Sequence, residues 1–328
     1  MSFNEIIGQK EAKKILRDEL KTQRINHAYL FIGKDGLGKR KLALEFVRAL
    51  FCEKKELDSC GQCVSCKKIK HQNHADVRLS TLKEGSSKFS IGQVREIQQE
   101  IIYKPYESSR KVFIIDDADK MSLEAANSLL RTLEEPPEYA VFILLAEDIN
   151  QLLPTIISRC QQIFFYNVSG DRIEQFLKEK GASDDEARLF SRLSGGSPWL
   201  ALETLQDEQF LENRSLILDL LSEIKTAKRY QVLQKTEKIS NLLGEGFPVF
   251  DLISTWYRDI ILCIEGNYQQ IVNVDYLKKL KKECQQYNTD CLITIMERIN
   301  KLEDYIDKNV NKRLTLEVLF LGIRAGRM

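Results

Sequence analysis

The sequence predicts an α/β nucleotide-binding core with a mostly parallel sheet, followed by an all-helical region. Three observations predict it. An apolar run, Ala28–Ile32, feeds the glycine-rich loop Gly33-Lys34-Asp35-Gly36-Leu37-Gly38-Lys39 and then a helix-forming segment. Short apolar runs then alternate with helix-period segments as far as Tyr166. Beyond about Leu205 glycine becomes scarce and wide apolar stripes at helical spacing take over.

At 328 residues the chain should hold two or three domains. Its 43% hydrophobic content is ordinary for a globular protein. A formal net charge of +1 excludes whole-chain basicity as a route to nucleic acid, so any such contact must be local or through a partner. Met1-Ser-Phe-Asn-Glu5 lacks the basic, apolar and small-residue order of a signal peptide, and no apolar run is long enough to span a membrane. The expectation is a cytoplasmic protein with no membrane partner.

The first residues set Ile6, Ile7, Ile15, Leu16 and Leu20 around a helix that starts near Gln9. In the loop that follows, Gly33, Gly36 and Gly38 let backbone N–H groups curl around phosphate oxygens, and Lys39 reaches the outer phosphates. The next helix, about Lys39–Leu50, points its positive end at the same anion. One position departs from the pattern: Arg40 stands where Ser or Thr would hold magnesium. A glycine-rich strand-to-helix turn with no ligand is the plain alternative.

Cys52, Cys60, Cys63 and Cys66 follow, with two overlapping C-x-x-C units. That spacing lets sulfurs meet one tetrahedral zinc, and a closed four-thiolate site is structural because no position is left for water. Disulfides are disfavoured in a cytoplasmic chain. His71 and His74 lie nearby and are read as structural.

Ser90 and Gln93 fit a capping box that opens a helix reaching about Tyr103. Lys111–Ile115 reads as a buried strand ending in Asp116, Asp117 and Asp119. In a nucleotide site the first acid serves magnesium and the second polarises water; Asp117 is one methylene shorter than the expected Glu. Acids also close ordinary turns at strand ends. Ser122 caps a helix to Leu133, which Glu134-Glu135-Pro136-Pro137 stops. Tyr139–Ala146 and Gln162–Tyr166 are the last strands, separated by Ser158-Arg159-Cys160. Ser183 and Glu186 form another capping box, and Gly195-Gly196-Ser197-Pro198 precedes a further helix. Phe250, Ile253, Trp256, Ile260 and Ile264 make one helical stripe, and Leu292, Ile295, Ile299, Leu302 and Ile306 another. Lys278, Lys279, Lys281 and Lys282 read as a solvated helix face rather than a DNA contact.

Taken in order, Ile7-Gly8-Gln9, HAYLFIGKDGLGK, the cysteine module, FIIDDADKM, LLRTLEEPP and TIISRCQQI resemble the bacterial clamp-loader ATPase family of the AAA+ class. The resemblance is dense over about 3–166 and weak beyond. It implies a RecA-like AAA+ core at 1–167 with a parallel sheet and an inserted zinc module at about 52–66, a helical lid at 168–207, and an all-α collar at 208–328 that joins a hetero-pentameric ring. It implies the other clamp-loader subunits, gamma/tau and delta, as partners, with the sliding clamp and primed DNA reached through the complex. It also implies that Arg159 acts in trans, on the ATP of a neighbouring subunit. Gly33, Gly36, Gly38, Lys39, Asp116 and Asp117 are the nucleotide-site residues, with ATP or ADP held weakly or not at all. In active relatives a lid arginine stands near Trp199, which is read here as a packing residue, and a polar sensor stands near Ala146-Glu147. The altered groups belong to the chain's own hydrolysis and the kept one to a neighbour's, so a stator role with little intrinsic ATPase activity is expected. An ATP-hydrolysing motor and a zinc-bearing nucleic-acid-binding module are the other two readings.

Overall fold

The computed structural model describes residues 3–54, 58–83, 85–306 and 310–326, and side chains are described for 3–54, 58–83, 85–303 and 310–326. The chain divides into two compact units, Met1–Leu202 and Glu203–Met328.

The first unit opens with α1 (Lys10–Thr22), β1 (Ala28–Ile32), α2 (Lys39–Leu50) and α3 (Val64–Lys70). It continues with β2 (Val77–Ser80), α4 (Ile91–Ile101), β3 (Lys111–Ile115), α5 (Leu123–Glu134), β4 (Ala140–Ala146), α6 (Pro154–Ile157) and β5 (Gln161–Phe164). The five strands form one sheet in the order β2-β3-β4-β1-β5, every neighbour pair parallel. Every residue of β1, β3 and β4 is buried, because helices cover both faces and successive side chains alternate between them. Tyr29 and Phe31 enter the core under α1 and α2, while Ala28, Leu30 and Ile32 enter the one under α4, α5 and α6. β2 and α3 were not foreseen. β2 is a four-residue edge strand, only partly buried, whose Arg78 pairs with Glu96 and Glu100 and hides the apolar signal.

Local chemistry sets the ends. The Ser90 N–H donates to Gln93 Oε1 at 3.2 Å, and Ser122 Oγ accepts from the Ala125 N–H at 3.2 Å. Buried Asp76 accepts the backbone N–H groups of Tyr106, Glu107 and Ser108 at 2.6, 2.8 and 2.8 Å, which fixes the loop between α4 and β3. Helices α7 (Gly170–Glu179) and α8 (Asp184–Leu193) pack together in the first unit, and α9 (Pro198–Gln206) follows.

The second unit is helical: α10 (Phe210–Glu223), α11 (Arg229–Gly244), α12 (Val249–Ile264), α13 (Leu277–Glu283), α14 (Thr289–Ile306) and α15 (Lys312–Ala325). Phe250, Ile253, Trp256 and Ile260 are buried as the stripe predicts, but Ile264 is exposed because it closes α12 at the surface. Leu292, Ile295 and Ile299 are buried, Leu302 is half-buried, and the side chain of Ile306 lies outside the described residues. Fully buried Asp259 accepts from the Val272 N–H and from both the backbone and side-chain amides of Asn273. Buried Arg214 closes the network with two hydrogen bonds to Asp275 at 2.6 and 2.9 Å. In the lysine run, Lys279 pairs with Asp219 at 2.7 Å and Lys281 lies over the Tyr268 ring.

Candidate functional site

The glycine-rich loop leaves the C-terminal end of β1, where ligands bind in open parallel sheets. Gly36 and Gly38 take φ of 75° and 90°, the left-handed region that glycine adopts without strain. A second reason holds at Gly36. A Cβ there would sit 2.1 Å from Ser197 Oγ, and the Trp199 N–H donates to the Gly36 carbonyl at 3.3 Å. The turn entering α9 is therefore seated on the loop. Trp199 itself is 62% exposed, which corrects its reading as a packing residue: its backbone makes the contact and its indole faces solvent. Gly36→Ala is expected to dislodge this turn and cost about 1–3 kcal/mol in denaturant unfolding. An unchanged midpoint would mean that the seat has no energetic weight.

Lys39 is buried, and its ammonium donates to the loop carbonyls of Gly33 and Lys34 and lies 3.2 Å from Asp35 Oδ1. Arg40 points across to β3, with its guanidinium 3.8 Å from Asp116 Oδ2. The structure thus brings Lys39, Arg40 and Asp116 to one end of the sheet. Burial, and then the charge of Asp117, raise the Asp116 carboxyl above the usual range, and Arg40 opposes them. Asp117 holds a left-handed backbone, and its Oδ1 accepts from the Lys120 ammonium at 2.7 Å. Asp119 accepts the Glu147 and Asp148 N–H groups at 3.0 Å each, tying the end of β4 to the acidic turn. Beside the loop, Gly8, Gln9, Tyr166, Asn167 and Arg172 line an open groove of about 220 Å³. Gln9 fixes one wall through hydrogen bonds with the Tyr166 backbone at 2.8 and 3.0 Å.

Arg159 lies at the other edge of the same sheet. Tyr29 is opposite Gln161 and Ile32 opposite Phe164. Arg159, two residues before Gln161, therefore sits where the strands begin, whereas the loop starts where β1 ends. At about 3.3 Å per residue the two edges lie roughly 13 Å apart along β1. Arg159 donates to Glu134 Oε1 at 2.6 Å and to the Thr155 carbonyl at 2.9 Å. Glu134 is the first acid of LEEPP, so the two motifs meet in space. Cys160 is buried, and that burial pushes its thiol up to about 12, so it is an anchor rather than a nucleophile.

The four thiols Cys52, Cys60, Cys63 and Cys66 converge, with all sulfurs within 4.8 Å of one another. A zinc with sulfurs at about 2.3 Å has tetrahedral edges of about 3.8 Å, and Cys60 and Cys66 are already 4.0 Å apart. The N–H groups of Cys60, Cys63 and Cys66 each point at a cluster sulfur at 3.4 Å, the arrangement that stabilises thiolates. Backbone N–H groups of Gln62 and Cys63 bring the Cys60 thiol down to about 6, while burial raises Cys66. The residues fit zinc. His74 is outside the cluster: it is buried, its Nδ1 accepts the Asp76 N–H, and burial lowers its pKa. The module is stitched to α2. Cys66 Sγ lies 3.9 Å from the Arg48 carbonyl, and Ser59 donates to Glu45, itself paired with Arg48 at 2.5 Å in a buried ion pair.

The family model described as DNA polymerase III, delta subunit matches residues 8–169, and the one described as DNA polymerase III, delta subunit, C terminal matches 208–324. DNA polymerase III subunit delta' of Bacillus subtilis is 30% identical over 97% of this chain and 97% of its own length. The chain belongs to the DNA polymerase III delta-prime family of clamp-loader subunits. DNA polymerase III subunit tau of the same organism is 28% identical over 98% of the chain, which spans 61% of that longer protein. Among solved structures, a gamma subunit-related protein of Thermotoga maritima aligns over 96% of this chain and 99% of its own, with TM-score 0.47 and 19% identity. Two features of this delta-prime family member escaped the sequence: the Arg40–Asp116 pair and the Glu134–Arg159 pair. Each joins residues far apart in the chain, and no local pattern announces them.

Proposed function

We propose that this clamp-loader subunit is a stator: it completes the ATPase site of a neighbouring subunit with Arg159 and has negligible ATPase activity of its own. The observation that carries this reading is the position of Arg159, at the sheet edge opposite the chain's own loop and too far away to serve it. A guanidinium is planar and always charged, so it suits a phosphate across an interface. The chain's own site supports the same division. Arg40 occupies the hydroxyl position, Asp117 is engaged by Lys120, and Trp199 replaces the lid arginine.

In this reading the AAA+ core covers 1–167, the lid 168–207 and the collar 208–328. The collar joins gamma/tau and delta in a five-membered ring that opens a sliding clamp onto primed DNA in the cytoplasm. Cys52, Cys60, Cys63 and Cys66 hold one structural zinc. The test is reconstitution of the loader with and without this chain, reading DNA-stimulated ATP turnover. Turnover should require the chain, and the isolated chain should show none. Robust turnover by the isolated chain, lost in Lys39→Ala, would favour the motor reading instead.

A further inference from the structure

We propose that the glycine-rich loop binds the phosphate chain of a nucleotide without a divalent metal, Arg40 supplying the fixed charge that magnesium brings elsewhere. Magnesium demands oxygen ligands in near-octahedral order, and the residues here do not fit it. The position after Lys39 offers a guanidinium instead of a hydroxyl. That guanidinium is paired with Asp116, the acid that would serve the metal, and Asp117 is paired with Lys120. A dication placed between Arg40 and Lys120 would meet two positive charges and displace both ion pairs.

The anion side of the site is intact. Among the described residues, no backbone N–H from Lys34 to Lys41 has a protein acceptor, whereas Gly33 donates to Ala146 and Leu42 to Gly38 on either side. Eight successive donors around two left-handed glycines have the backbone pattern from which anion-binding nests are built. Lys39 is 7% exposed, and among the described residues its partners besides Asp35 are carbonyls of the loop, which a phosphate oxygen can replace. The charges around the loop are Lys39, Arg40 and Lys120 against Asp35, Asp116 and Asp117, with Asp119 also acting on Lys120; Lys39, Arg40 and Lys120 each hold one of the first three acids, and an incoming phosphate still meets the donor row. Arg40 is partly exposed and its pair with Asp116 is long, so its guanidinium can turn a free N–H edge to a phosphate oxygen while still touching the carboxylate. The groove lined by Gly8, Gln9, Tyr166, Asn167 and Arg172 borders the loop through Gln9, whose amide lies 3.4 Å from the Leu37 carbonyl, and leaves room for the nucleoside.

The experiment titrates the full chain with an N-methylanthraniloyl-labelled ADP, in excess EDTA and in excess magnesium. The wild type should bind with affinities within about twofold of each other in the two conditions, and Lys39→Ala should lose binding in both. Arg40→Ser removes the fixed cation, frees Asp116 and introduces a hydroxyl. It should bind about tenfold or more weakly than wild type in EDTA and regain affinity with magnesium. Thermal melts of each variant establish that the fold is kept. Binding that appears only with magnesium, no binding in either condition, or an Arg40→Ser variant indifferent to EDTA would each overturn the proposal. None of these outcomes touches the stator reading, which is scored in the partner subunits' turnover.

Discussion

Replacing Arg159 by alanine in a reconstituted loader is expected to lower DNA- and clamp-stimulated ATP hydrolysis while leaving fold and assembly intact. The fold should survive because the Arg159–Glu134 pair is partly exposed, and such pairs contribute about 0–1 kcal/mol. The catalytic loss should be far larger. An arginine finger contributes roughly a thousandfold or more at its own site, of which other sites in the ring mask a part. Glu134 sharpens the test. Its carboxylate and the Thr155 carbonyl hold two of the guanidinium nitrogens, and among the described residues the remaining N–H groups have no acceptor and can meet a phosphate. Glu134→Gln should lower kcat at unchanged KM for ATP, by less than Arg159→Ala does. In the Arg159→Ala background it should have no further effect. Unchanged turnover and clamp loading in the Arg159 variant would remove the finger role altogether.

Metal analysis of chain purified without chelator should find about one zinc per molecule, and stripping it should have the largest effect on stability of any change considered. Structural zinc contributes about 10–16 kcal/mol of apparent binding free energy in small domains where folding and binding are one event. Here the dependence is expected to be confined to the cysteine module and its attachment to α2. Stripping the metal, or Cys66→Ser, should expose amides from Asp58 to Lys70 and in the last turns of α2 to hydrogen exchange, because Cys66 and Ser59 reach back to Arg48 and Glu45. Amides of β1, β3 and β4 should stay protected. A metal-free preparation with four titratable thiols and an unchanged exchange pattern would exclude a structural zinc.

Much of this was legible because the relevant signals are local. The strands β1, β3 and β4 announce themselves as unbroken apolar runs since both their faces are covered, and Ser122 and Ser183 announce helix starts through one side chain and one amide. The loop glycines and the cysteine spacing are equally local. What stayed hidden depends on distance in the chain. The edge strand β2 needs β3 to be a strand at all, and its Arg78 looks like a loop residue until α4 presents Glu96 and Glu100. Arg40 reads as a missing hydroxyl in sequence. Only the parallel pairing of the sheet, which sets the ends of β1 and β3 at the same rim, turns it into the partner of Asp116. Trp199 misled for the opposite reason: tryptophan is usually packed, and here its backbone carries the contact while the ring does not.

The placement of loop and arginine on opposite rims of one sheet gives the chain a direction, like a plug at one side and a socket at the other. Units that dock socket to plug make a head-to-tail series, and such a series has a first and a last member unless its rotation closes. If Arg159 is the finger proposed above, a member with Arg40 at the hydroxyl position and Asp117 held by Lys120 would pass catalysis onward and perform none itself. On that reading the series of hydrolysing sites would end at this member, and the chemistry of a single loop would give the assembly a fixed reference position.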